Sequence, residues 1–311
     1  MPIDRQAKRF LDMLAAGGQS AAYQLVAQRR QALDDLIAWV GGDAPAVGDV
    51  RNAEVQGPGG PIGVRIYTPI GAQPGALGAM IFFHGGGWVA GSLETHDGVC
   101  RRLSNASGFR VIAVDYRLAP EHPFPAAVED ACAAVKAIAE RADDFGVDAA
   151  QLGVAGDSAG AGLAAVVCQM ARDNGPRIAF QLLICPILDV ATESVSRTEL
   201  AEGYFLNRAT LERDLELYAP PDRADPGVSP LRASDLGGLP LAFIHIAEFD
   251  PFRDEGHAYA VRLAEAGVQV SDIRHEGMIH FFYAIPSMIG YAEEALRLMG
   301  AGVAGDLAAN P

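Results

Sequence analysis

Lysine is almost missing from this chain: among 311 residues it occurs only at Lys8 and Lys136, and 24 basic side chains face 39 acidic ones, a formal charge of −15. Binding nucleic acid requires a clustered basic face to neutralise phosphates, and no stretch offers one. The acidic excess reads as a solvated surface that keeps the protein dispersed. Cysteine is scarce as well. Cys100, Cys132, Cys168 and Cys185 lie far apart without a C-x-x-C pair, which argues against a zinc knuckle or a redox dithiol and predicts reduced, buried thiols. No apolar run reaches membrane-spanning length. The opening MPIDRQAKRFLDML mixes charges with apolar residues at helical spacing and lacks the apolar core of a secretory signal. A cytoplasmic protein without nucleic-acid or membrane partners is expected.

Apolar residues, by contrast, make up 50% of the chain, enough for one large core plus an insertion or cap. Over 4–41, Phe10, Leu11 and Leu14, then Tyr23, Leu25, Leu33, Leu36, Ile37 and Trp39, recur at three-to-four spacing around a break at Gly17 and Gly18. Two helices ahead of the core are predicted. From Val64 short β-rich runs take over: VRIYT, then 79–83, 111–116, 152–156, 180–184, 241–246 and 268–274. The segments 124–141, 158–173, 254–266 and 284–300 read as amphipathic helices between them. Apolar strands alternating with helices predict a mostly parallel sheet covered on both faces. Segments 57–63 and 70–78 read as turns between early strands. The stretch 189–235 is polar and helix-leaning and reads as an insertion packing near the N-terminal pair, while the tail 302–311 looks loosely ordered.

Gly156-Asp157-Ser158-Ala159-Gly160 follows the run LGVAG and opens a helical stretch. A serine on so sharp a strand-to-helix turn needs glycine two places before and after, because neighbouring backbone comes too close for a Cβ. In a chain with 35 glycines the pentapeptide alone also fits an ordinary small-residue turn capped by Ser158, so its context decides. His84-Gly85-Gly86-Gly87-Trp88 follows directly on the strand 79–83. Consecutive glycines let backbone N–H groups face a pocket, which suits an oxyanion. Gly85, Gly86 and Ala159 are the expected donors, with His84 bracing the loop. A phosphate-binding loop would need a following Lys and Ser or Thr, which this one lacks.

A serine hydroxyl attacks only if a positioned base takes its proton. In hydrolases with such a turn the order is Ser, acid, His, each at the carboxyl end of a strand. Asp250 ends the run LAFIHIAEFD before Pro251, with Glu248 as the competing acid. Asp254 and Glu255 sit where a helix begins and read as dipole complements. His280 lies in the loop after the last strand, whereas His275 falls within or just past that strand and His257 on the preceding helix. His280 is therefore the expected base.

Taken together, HGGGW at 84–88, DYRLAPEHPFPAA at 115–127, GDSAG at 156–160, DPFRDEG at 250–256 and EGMIHFF at 276–282 resemble the bacterial hormone-sensitive-lipase-like carboxylesterases over residues 50–300. The resemblance implies an α/β-hydrolase fold, an eight-stranded, mostly parallel sheet flanked by helices. Cap helices at 1–45 and 189–235 would then cover a core of 46–188 and 236–311. It implies Ser158, Asp250 and His280 as a triad, no metal or cofactor, and a small-molecule ester with a short to medium acyl chain as substrate. Phe252, where leucine is common, and Met278-Ile279 are small departures. Some relatives keep the fold and serine, have lost the histidine and only bind a ligand; His280 speaks against that here. An amidase or peptidase would share the nucleophilic step. Trp39, Trp88, Tyr204, Phe205 and Leu206 are candidate pocket residues, with ordinary packing between cap and core as the alternative. Pro120, Pro123 and Pro125 stiffen the 115–127 loop, with Arg117 expected to pair with Glu121. A homodimer through the last strand and helix is compatible with the resemblance, and no residue calls for it.

Overall fold

The computed structural model describes residues 2–17 and 25–309; Gly18 and Tyr23 lie outside them. In chain order the elements are α1 (Arg5–Gly17), α2 (Val26–Val40), β1 (Asp49–Gly57), β2 (Gly60–Thr68), β3 (Leu77–Phe83), α3 (Asp97–Ser107) and β4 (Arg110–Asp115). There follow α4 (Ala126–Glu140), α5 (Ala142–Phe145), β5 (Val147–Asp157), α6 (Ala159–Asn174) and β6 (Phe180–Ile184). The chain continues through α7 (Val195–Glu199), α8 (Arg208–Tyr218), β7 (Leu241–Phe249), α9 (Arg253–Glu265), β8 (Val270–Ile279) and α10 (Tyr291–Ala309).

The eight strands form one sheet in the order β1-β2-β4-β3-β5-β6-β7-β8. β2 runs antiparallel to both neighbours and every other pairing is parallel. Side chains alternate across a strand, and β3 shows the consequence. Ala79, Ile81 and Phe83 enter one core with residues of α4, α6 and α9. Met80 and Phe82 enter a second core with residues of α1, α3 and α10. A strand buried on both faces must be apolar at every position, which is why β3 was legible as a continuous run.

Three elements depart from the sequence expectation. β1 reads DVRNAEVQG and buries only Val55; an edge strand needs no apolar run, so periodicity missed it. It closes on β2 through Pro58 and Gly59 alone, with Gly57 opposite Gly60, so the expected 57–63 turn is mostly strand. The helix α3 was missed because only Val99, Cys100 and Leu103 face the core among polar neighbours. The last helix starts at Tyr291 rather than 284, after a 3₁₀ turn at Phe282–Ala284, and runs on to Ala309. The tail is ordered by burial: Val303 is fully enclosed and Leu307 packs beside it.

Between β6 and β7 lie α7, α8 and a 3₁₀ turn at Pro230–Arg232, with no strand among the described residues. No described helix is long and apolar enough to cross a membrane. The four cysteines are unpaired, three of them buried and Cys132 half-buried. Parallel β5, β7 and β8 all end at the same edge of the sheet. Phe249 is in register with Ile279, so the residues that follow them, Asp250 and His280, emerge side by side.

Candidate active site

Ser158 stands between β5 and α6 with φ 52° and ψ −119°, a backbone conformation costly for a residue with a Cβ. The turn closes so tightly that a Cβ on Gly160 would strike the Phe83 carbonyl, and one on Gly156 the Gly160 carbonyl. The Ser158 N–H donates to Ile184 O at 2.9 Å, which ties the strained turn to β6. The side chain is nearly enclosed, 6% exposed.

His280 Nε2 lies 3.0 Å from Ser158 Oγ, and His280 Nδ1 lies 2.7 Å from Asp250 Oδ2. Asp250 Oδ1 accepts from the Phe252 N–H at 2.8 Å, so the carboxylate is oriented from both sides. Burial opposes the charged form of His280, but the charge and hydrogen bond of Asp250 outweigh it and hold the imidazolium above its ordinary range. The competitors are engaged elsewhere. Glu248 accepts from the Gly277 N–H at 2.7 Å, His257 pairs with Asp272 at the surface, and His275 sits in β8 between His245 and Tyr291.

The glycine loop corrects one expectation. The Gly85 N–H donates to Asp157 Oδ1 at 2.8 Å and is unavailable to a ligand. Gly86 and Gly87 line the cavity beside Ser158 instead, and among the described residues nothing accepts from the Gly86, Gly87 or Ala159 N–H. Asp157 itself was missed by the sequence reading. Fully buried, it also receives the Tyr283 hydroxyl at 2.7 Å and has His96 Nε2 3.2 Å away. Burial would raise its carboxyl, yet His96 and these donors bring it below the usual range. His84 braces the same loop: its Nδ1 is 2.8 Å from Gly85 O, its ring stacks on Tyr116, and burial and the neighbouring His96 push its pKa down to about 4.

Above Ser158 opens a cavity of about 310 Å³. Leu14, Leu33, Leu36, Phe205 and Phe281 give it an apolar side; Arg29, Asn207, Thr210 and Asp214 give it a polar one. Of the five expected pocket residues, Phe205 and Leu206 line it. Trp39 points to solvent, 54% exposed. Trp88 is buried in a stack on Tyr218, and Tyr204 stacks on Phe249.

Charged contacts fasten the helices over this cavity. Asp254 and Glu255 stand in the first turn of α9, and Glu255, buried, also pairs with Arg197 at 2.8 Å and accepts from the Leu188 N–H at 2.7 Å. Asp254 accepts from the Ser196 N–H at 2.7 Å. Both tie the inserted segment to α9. Arg117 binds Asp130 at 2.8 Å rather than Glu121, which instead pairs with Arg30 at 2.7 Å. Arg197 and Glu255 lie 58 residues apart and Arg30 and Glu121 91 apart, so spacing gave no signal for them.

A family model described as the alpha/beta hydrolase fold matches residues 80–284. The carboxylic ester hydrolase LipN of Mycobacterium tuberculosis is 43% identical over 244 residues, which cover 74% of this chain and 63% of that protein's own length. An arylesterase of Saccharolobus solfataricus is 36% identical over 92% of this chain and 94% of its own. The solved structure of an ester-hydrolase from the metagenome of Lake Arreo superposes with a TM-score of 0.96 at 42% identity, covering 98% of this chain and 99% of that one. The chain belongs to the α/β-hydrolase fold family and stands among its carboxylic ester hydrolases.

Proposed function

We propose that this chain hydrolyses small-molecule carboxylic esters through an acyl-enzyme on Ser158. The observation that carries the reading is the line Ser158–His280–Asp250, at 3.0 and 2.7 Å, opening into a largely apolar cavity. His280 Nε2 takes the hydroxyl proton as Ser158 Oγ bonds to the ester carbonyl carbon. The carbonyl oxygen becomes an anion that the N–H groups of Gly86, Gly87 and Ala159 receive, with the α6 N-terminus adding favourable potential. Collapse breaks the C–O bond to the alcohol, which leaves with the proton from His280. Water, deprotonated by the same imidazole, then releases the acid and restores Ser158.

The cavity of about 310 Å³ stands near the lower end of the roughly 300–1,000 Å³ usual for ligand sites, which favours short to medium acyl chains. Purified protein is expected to hydrolyse p-nitrophenyl acetate, butyrate and hexanoate, and Ser158→Ala to lose that activity. Equal turnover by both proteins would sink the assignment. A matched anilide panel separates an amidase from an esterase, since only the leaving group changes.

A further inference from the structure

Resting on that reading, we propose that the ion pair of half-buried Arg29 with buried Asp214 is a positioning device for the oxyanion site, holding the Gly87 end of the glycine loop in place from the helices above it. Arg29 lies on α2 and Asp214 on α8, 185 residues apart. The guanidinium meets the carboxylate at two points, NH1 to Oδ1 and NH2 to Oδ2, each 2.7 Å. Asp214 is 2% exposed, and both residues line the cavity that holds Ser158.

The pair bears directly on the loop. Gly87 has φ +65°, and a Cβ there would collide with Asp214 Oδ2, so the carboxylate rests against the bare Cα of the residue whose N–H faces the oxyanion. The next residue of α2 grips the loop from its other end: Arg30 Nε donates to Val89 O at 2.8 Å and its NH2 to Ala119 O at 3.0 Å. Between these two grips the loop closes on itself, with the Ala90 N–H donating to Gly86 O at 2.9 Å.

Buried ion pairs add little to stability relative to apolar residues of the same shape, but they demand one geometry, and loss of either partner leaves a buried group uncompensated. Burial pushes the Asp214 carboxyl up to about 7 and Arg29 opposes that rise. Arg29 NH2 donates to Asp214 Oδ2, while NH1 and Oδ1 face each other at 2.7 Å without hydrogen-bond geometry, so one hydrogen bond and the attraction of the two charges hold the carboxylate against the loop. Displacing an oxyanion donor lowers the rate of the chemical step more than it weakens ground-state binding.

The test is a double-mutant cycle of Arg29→Met and Asp214→Asn. It is read by kcat and KM with p-nitrophenyl butyrate, by inhibition with butylboronic acid, which forms a tetrahedral adduct on the serine, and by thermal unfolding. Each single variant should lose about tenfold or more in kcat, keep KM within about twofold, and lose boronate affinity in step with kcat. The double variant should be no worse than the poorer single one. Folded variants with unchanged kcat, or with the loss confined to KM, would overturn the proposal. Should these variants fail to fold, Arg29→Lys keeps the charge and abolishes the two-point contact; it must lower kcat at unchanged KM, and parity with the parent refutes the idea. Ester hydrolysis by the parent that survives Ser158→Ala would refute the acyl-enzyme on Ser158 and the pair's role with it. Ser158-dependent turnover with intact kcat in the variants refutes the pair alone.

Discussion

At the sheet edge, Ser158, Asp250 and His280 are placed by backbone: two parallel strand ends in register and a turn too tight for any Cβ at Gly156 or Gly160. In the helical layer above, α2, α7 and α8 are held by charged side chains, Arg29 to Asp214, Arg30 to Glu121 and Arg197 to Glu255. Backbone geometry leaves the reacting groups little freedom. The ion pairs hold the layer through side chains that single substitutions remove, so the layer can be altered while the edge stays as it is. The two regions should therefore fail in different ways when they are altered.

The largest effect belongs to the edge. His280→Ala should lower kcat by about 10⁴-fold or more with the thermal midpoint nearly unchanged, measured by steady-state kinetics beside calorimetry. A variant with ordinary turnover would break the triad. Asp250→Asn should cost on the order of 10³–10⁴ in kcat, because a side-chain amide no longer orients and supports the imidazolium.

Away from the Arg29–Asp214 pair, the layer should respond in stability first. Arg197→Met leaves Glu255 buried without its cation, a loss of about 3 kcal/mol by urea unfolding. The carboxyl moderates that loss by taking a proton, since burial already lifts its pKa to about 7. A drop in kcat larger than the drop in stability would blur the distinction between the regions.

Proton uptake sharpens the comparison further. Activity needs neutral His280, whose pKa is raised above 6.5, so kcat/KM should rise with pH through a midpoint above 6.5. A limb centred below 6.5 would contradict the Asp250 contact. Stability has a separate dependence. Burial, with His275 beside it, lowers the His245 pKa to about 3, so below pH 6.5 the unfolded chain takes up a proton that the folded one refuses. Its contribution is present above 6.5 and is lost as pH falls toward about 3, by up to about 1.4 kcal/mol per pH unit. Asp214 and Glu255, raised to about 7, act in the opposite sense as pH rises toward 7. Replacing His245 isolates one term: His245→Asn should flatten the decline of stability between pH 6.5 and 4.5, the smallest effect predicted.

What could be read in the sequence follows the same division. The β3 run, the turn around Ser158, and Asp250 and His280 at strand ends are local patterns, and the strand periodicity that exposes them spans a few residues. The glycine loop was legible as a donor loop, but which N–H is free was not, since the acceptor that removes Gly85 is Asp157, 72 residues on. The pairing of Arg117 with Glu121 was misread for the same reason, and the ion pair of Glu255 with Arg197 across the fold left no spacing to detect. Trp39 and Phe205 looked alike as aromatic residues of the helical segments. Only the packing of the layer shows that one faces solvent and the other the cavity.

The central claim is that Ser158 is the nucleophile, and diethyl p-nitrophenyl phosphate tests it most directly. Intact-protein mass spectrometry should show a single diethylphosphoryl adduct that peptide mapping places on Ser158, with activity lost in proportion and no adduct on Ser158→Ala. An adduct elsewhere, or full labelling with hydrolysis intact, would contradict the account.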